Sequence, residues 1–182
     1  MDAYRLVLFL HLCALLGAIG TSSLVHFAEA RLRDAETVAV ARTWAGVIEK
    51  ASRVFPIALA ALLISGAYLV HRGWSWSTGW IDAGLAGVVL LFALGAGIVG
   101  ARTRALTREL SAAADGPLGE RAARIARQHP GAIASWTNTG LALGVVFVMT
   151  TKPALAGSIV ALAVAATLGG LVGLRLREAS GP

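Results

Sequence analysis

A chain of 182 residues that is 57% hydrophobic and only 14% charged, with a mean hydropathy of +0.72, falls outside the ordinary soluble domains and fits a polytopic membrane protein. Its formal charge of +6 would suit nucleic acid or anionic lipid, but the charges cluster between apolar runs, which points to lipid and topology and away from nucleic acid. The single cysteine, Cys13, excludes an intramolecular disulfide and reads as a small packing residue.

Five apolar stretches, at about 4–27, 54–71, 81–101, 134–151 and 154–174, organise nearly all of the chain. Each approaches the roughly 20 residues that a helix needs to cross a ~30 Å hydrocarbon core. The first begins behind Asp2 and a single Arg5, with Tyr4 placed as an interfacial anchor. This start and the length of the run argue for a retained span over a cleaved leader, despite the Ala28-Glu29-Ala30 sequence that follows. Thr21, Ser22 and Ser23 supply hydroxyls that can bond back to the helix or across to another.

The segment 28–53 is rich in Ala, Glu and Arg and reads as helical, a continuation of the first span, with punctuation only at Gly46 and Pro56. After the second stretch, Trp74, Trp76 and Trp80 crowd a short loop and read as an aromatic belt, with Trp136 in the same part on the other side. Asp82 reads as a cap of the third helix. The run Gly95-Ala96-Gly97-Ile98-Val99-Gly100 matches a dinucleotide fingerprint but lies inside an apolar span with no preceding strand, so the nucleotide reading is rejected.

The third stretch continues as a charged helix to about Ala114, where Asp115-Gly116-Pro117 breaks it. Pro117 suits the first turn of a new helix bearing Glu120, Arg121, Arg124 and Arg127, and His129-Pro130-Gly131 ends that helix. Thr151-Lys152-Pro153 leaves room only for an antiparallel hairpin of the last two stretches. Gly140/Gly144 and Gly169/Gly173 form GxxxG pairs that let helix backbones approach, within the bundle or between protomers.

Thirteen of the sixteen Lys and Arg fall in 28–53, 102–133 and the tail, leaving Arg5, Arg72 and Lys152 for the other side. The positive-inside rule makes the rich side cytoplasmic. The expected architecture is therefore all-α: one transmembrane domain over 1–182, five spans, N-terminus out and C-terminus in, with cytoplasmic helical segments at 28–53 and 102–133.

Ionisable groups within a bilayer are costly and mark sites worth testing. His11, seven residues into the first span, is the clearest. His71 shares its outer side, while His26 and His129 lie towards the inner one. Histidines on different helices suit haem b, with His71 or the thioether of Met149 as the second ligand to His11. Upright helices would put His11 and His71 about 10 Å apart in depth, and the alternative for His11 is a structural hydrogen bond to a neighbouring helix. No Asp or Glu occupies a span centre, and no Cys-x-x-Cys, His-Glu-x-x-His or Walker motif occurs, so an active site of its own is not expected.

Short runs along the chain resemble a known group. Leu10-His11-Leu12, Ser52-Arg53-Val54-Phe55-Pro56, Ser65-Gly66-Ala67-Tyr68-Leu69, Gly79-Trp80-Ile81 and Val148-Met149-Thr150-Thr151-Lys152-Pro153 look like small bacterial predicted integral membrane proteins related to copper-resistance protein D. The Arg…Pro…Gly pattern also resembles membrane-bound protoporphyrinogen oxidase, which implies a haem role for His11. That oxidase begins its third span with an essential lysine, where this chain has Trp80-Ile81-Asp82, so the oxidase activity is not implied. Copper-type methionine clusters are absent, since Met1 and Met149 are the only methionines. The resemblance implies a bacterial cytoplasmic membrane.

The expected function is a non-catalytic membrane subunit or scaffold, partnered by the bilayer and by other membrane subunits or copies of itself. Haem-b electron transfer at His11 is the alternative, and copper or small-solute transport a third.

Overall fold

The structure is a computed structural model that describes residues 2–127 and 129–178. Among these residues it contains helices and a single isolated β-bridge, and the chain divides into two compact units, residues 1–76 with 105–126 and residues 77–104 with 127–182. Four helices are long and apolar enough to cross a membrane; a fifth apolar helix is shorter.

The first unit is built on a long hairpin. Helix α1 (Ala3–Arg33) starts where the Asp2 carboxylate accepts a hydrogen bond from the Tyr4 N–H at 3.1 Å, and its last turn carries Arg31 and Arg33, which complement the helix dipole. It stops at Asp34, so the segment after the first span is not one continuous helix. Thr37 then caps α2 (Val38–Gly73), its hydroxyl accepting from the Val40 N–H at 3.4 Å. Neither Gly46 nor Pro56 interrupts α2. Proline costs about 3 kcal/mol inside a soluble helix, but neighbouring groups re-satisfy the freed carbonyl in membrane helices, where proline is common.

The arginine-rich segments pack into a core of their own. Ala28, Leu32 and Ala35 from the end of α1 and Val38, Ala41, Ala45 and Ile48 from the start of α2 recur at helical spacing. They close on Leu106 and Leu110 of α4 (Gly100–Ala112) and on Ala122 and Ala126 of α5 (Glu120–Ala126). Each buried Leu or Ile contributes about 1.5–3 kcal/mol. Backbone bonds stitch the turns together: the Val38 N–H donates to Gly116 O at 3.0 Å, and the Leu118 N–H to Glu36 O at 2.8 Å. Pro117 lies in this bridge, paired with Thr37, and not in the first turn of α5 as its position suggested. Gly116 has φ +155°, a conformation open to glycine and strained for other residues, so the turn requires it.

The second unit holds α3 (Gly79–Leu94), a π-helical turn over Gly95–Val99, the first residues of α4, then α6 (His129–Thr151) and α7 (Leu155–Glu178). Thr78, not Asp82, is the N-cap of α3; Asp82 sits exposed in the first turn, where its charge favours the helix dipole. Likewise His129 and Pro130 open α6 and do not close α5, because proline in a first turn has no N–H to waste.

Glycines set the packing of this unit. A Cβ at Gly140 would overlap the Ala165 carbonyl oxygen and fall 3.0 Å from Gly169 Cα; one at Gly169 would overlap the Trp136 carbonyl. Gly144 faces Ala165 in the same seam, so three of the four GxxxG glycines make contacts within the chain. Gly173, the fourth, lies one turn further along α7 and is buried. On α3, Gly79, Gly84 and Gly87 admit Leu155, Met149 and Val145 respectively, each within 2.7 Å of where a Cβ would stand. Large side chains such as Phe9, Leu16, Ile64, Val89, Phe147 and Val160 point outwards, as they do when the solvent is hydrocarbon.

Candidate functional site

His11 and Ser65 meet across the α1–α2 hairpin. The His11 Nδ1 lies 2.8 Å from Ser65 Oγ, and Gly66 makes room for the ring, since a Cβ there would stand 3.4 Å from His11 Cε1. Both partners are half-buried. The Ser65 hydroxyl donates to the Ala61 carbonyl one turn back, with the Leu62 carbonyl at 3.3 Å. Its one proton is therefore committed to the backbone, and only its lone pairs remain for His11. It follows that Nδ1 carries the imidazole proton and donates to Ser65, leaving Nε2 as a bare acceptor. A neutral imidazole held in one tautomer by a hydrogen bond at its other nitrogen is the usual preparation of a metal-binding histidine.

Among the other haem candidates, His71 stands away from this contact. His71 is exposed on α2, six residues beyond Ser65, hence about 9 Å further along the axis at 1.5 Å per residue. Met149 belongs to the second unit, where its Cε lies against Gly84 of α3, 2.5 Å from the position a Cβ would take. His26 Nδ1 is 3.8 Å from the Glu29 carboxylate towards the C-terminal end of α1. The side chain of His129 lies outside the described residues. Among the described residues no group of three or more His, Cys, Asp or Glu side chains is placed to hold a metal ion.

Other span hydroxyls turn inward on their own helices. Thr21 Oγ1 donates to Gly17 O at 2.8 Å, Ser23 to Ile19 O at 3.0 Å, and Thr167 to Ala163 O at 2.8 Å. At the far end of the second unit, the Lys152 ammonium lies 5.9 Å from the centre of the Trp80 ring, so Gly79-Trp80 and Thr151-Lys152-Pro153 form one packed corner.

Two polar positions are not singled out by the sequence reading. Ser65 stands there only as one residue of a run, although a serine between apolar residues on the span beside His11 is a readable signal. Asn138 is absent from it altogether. It is half-buried on α6 near Gly95 and the π-helical turn, and its Oδ1 is buried without a hydrogen-bond partner among the described residues. A carboxamide in an otherwise apolar span marks such a position.

Residues 5–153 match the family model described as predicted integral membrane protein (DUF2269). No curated protein and no solved structure matches the chain. The match spans most of the chain, from α1 through α6 to the corner at Lys152 and Pro153, and the chain belongs to that family of predicted integral membrane proteins.

Proposed function

We propose, from this membership, that the protein is a non-catalytic integral membrane subunit or scaffold of a larger assembly in the bacterial cytoplasmic membrane. The observation that carries the reading is how the polar groups of the spans are used: the hydroxyls of Thr21, Ser23, Ser65 and Thr167 bond to their own helices or to His11, while large apolar side chains face outwards. Such a body presents surface for lipid and partner helices, and little chemistry. It crosses the bilayer five times, N-out and C-in, with α3, the π-helical turn and the start of α4 forming the third span. From Gly79 to Ala101 these are continuously helical, roughly 30 Å at 1.5 Å per residue. The arginine-rich core of the first unit then faces the cytoplasm.

Purification from native membranes in mild detergent, followed by mass spectrometry, tests the role. A stoichiometric membrane partner is expected; a homogeneous monomer with none would sink it. Alkaline phosphatase fusions test the orientation, with activity expected at Trp76 and Lys152 and none at Arg108.

The Ser65 contact favours a second reading, haem b bound through Nε2 of His11, because the proton is held at the other ring nitrogen. The resemblance to membrane-bound protoporphyrinogen oxidase points the same way. A Soret band in purified protein, lost in His11→Ala, supports it; a colourless, folded preparation from haem-supplemented cells ends it.

A further inference from the structure

The second unit carries a groove on one flank of the α6–α7 pair, about 360 Å³ in volume and lined by Ile133, Thr137, Ala166, Thr167, Gly170, Leu171 and Leu174. We infer that this groove holds one acyl chain of an anionic phospholipid, with the headgroup at Arg175. Three observations support that occupant.

The first is chemistry. Five of the seven lining residues are aliphatic or glycine, and the Thr167 hydroxyl is committed to the Ala163 carbonyl. Gly170 closes on the other hydroxyl, a Cβ there standing 3.1 Å from Thr137 Oγ1. The buried part of the occupant is therefore hydrocarbon. The second is size. The α7 lining runs from Ala166 to Leu174, about 12 Å at 1.5 Å per residue. A single extended alkyl chain can lie along a groove of that length.

The third is charge. Leu174 ends the groove, and the next residue, Arg175, is exposed at the end of the unit where Arg102 and Arg104 also emerge from the apolar helix. Cationic side chains at the headgroup level of a groove between membrane helices select anionic lipid. The inference holds whichever way the protein is oriented, because the arginines and the groove lie at the same end of α7.

The full-length protein, reconstituted in nanodiscs of equal phosphatidylglycerol and phosphatidylethanolamine and released for native mass spectrometry, tests this. Retained phosphatidylglycerol should exceed phosphatidylethanolamine several-fold. Ala166→Phe, which fills the groove, should abolish the excess, and Arg175→Gln should lower it several-fold; Val164→Phe, on an outward face of α7, should leave it unchanged. Equal retention of the two lipids, or an excess that survives Ala166→Phe, overturns the inference. So does a monomer–dimer equilibrium shifted by Ala166→Phe without loss of lipid, which would make the groove a protein interface. If Ala166→Phe does not fold, photo-crosslinking of wild type by phosphatidylglycerol with a diazirine in its acyl chain decides. Label within 166–174 supports the site, and label spread evenly over α6 and α7 refutes it.

Discussion

Gly140 and Gly169 meet backbone to backbone, each so close to the other's helix that a Cβ on either would stand about 3.0–3.1 Å from the opposing Cα and overlap a carbonyl oxygen. Rigid backbone, not a flexible side chain, is what a methyl group would strike. Gly140→Ala should therefore destabilise the protein despite the better helix propensity of alanine, by about 1–3 kcal/mol from overpacking. Unfolding in mixed micelles measures it. A Gly140→Ala protein as stable as wild type would mean that α6 and α7 do not close on this seam.

Gly46 makes the opposite prediction. It lies inside α2 with helical backbone and nothing within 4 Å of where its Cβ would be. Here only the entropy of the unfolded chain and the exposure of the backbone are at stake, so Gly46→Ala should stabilise by about 0.5–1 kcal/mol. The same unfolding assay should move the two glycine variants in opposite directions.

How much of this is legible in the sequence differs from element to element. The apolar runs at 4–27 and 154–174 become α1 and α7 because hydrophobic length is a property of the chain alone. The GxxxG spacing of Gly140, Gly144 and Gly169 fixes a shared helix face, but not where the opposing helix comes closest. The segments 28–53 and 102–133 read as helical, yet their common core is invisible in the sequence: Leu32, Ile48, Leu106 and Leu110 look like ordinary amphipathic positions until three chain segments meet. Pro117 has a local preference for a first turn, but backbone bonds from residues 36–38 recruit its neighbours instead. Pro56 reads as punctuation because the rule against helical proline is calibrated on water. At the candidate site the histidine is visible, since its cost in lipid depends on depth alone. Its tautomer is not, because that depends on Ser65, 54 residues away, and on where the serine proton goes.

That dependence gives a third prediction. Ser65→Ala removes the hydroxyl that accepts from the His11 Nδ1–H and leaves the ring only the Leu62 carbonyl nearby. In water-soluble proteins a stranded buried donor costs about 1–3 kcal/mol, but between membrane helices measured couplings average about 0.6, because the separated helices also find partners. The membrane figure should govern here. A double-mutant cycle with His11→Ala should return a coupling of about 0.5–1.5 kcal/mol, and zero coupling would show that the bond is not made.

Arg42 supports the last prediction. Its guanidinium donates to Asp115 Oδ1 at 2.9 Å, to Leu110 O at 3.1 Å and to Ala113 O at 3.0 Å, so one side chain from α2 satisfies carbonyls at the end of α4 and anchors the turn that follows. The ion pair with Asp115 is exposed on both sides and by itself contributes little, about 0–1 kcal/mol. The carbonyl bonds matter more, because a helix C-terminus leaves acceptors that only a cap, water or a cation can satisfy. Arg42→Ala should cost about 1–2 kcal/mol, and Arg42→Lys should recover little of it, because one ammonium cannot span acceptors that the guanidinium fork reaches together. Asp115→Asn should cost less than half as much. Hydrogen exchange separates the two contributions: faster exchange at Leu118 and Glu120 is expected in Arg42→Ala and not in Asp115→Asn. Equal effects of the two substitutions would mean that the ion pair, and not the cap, holds the end of α4.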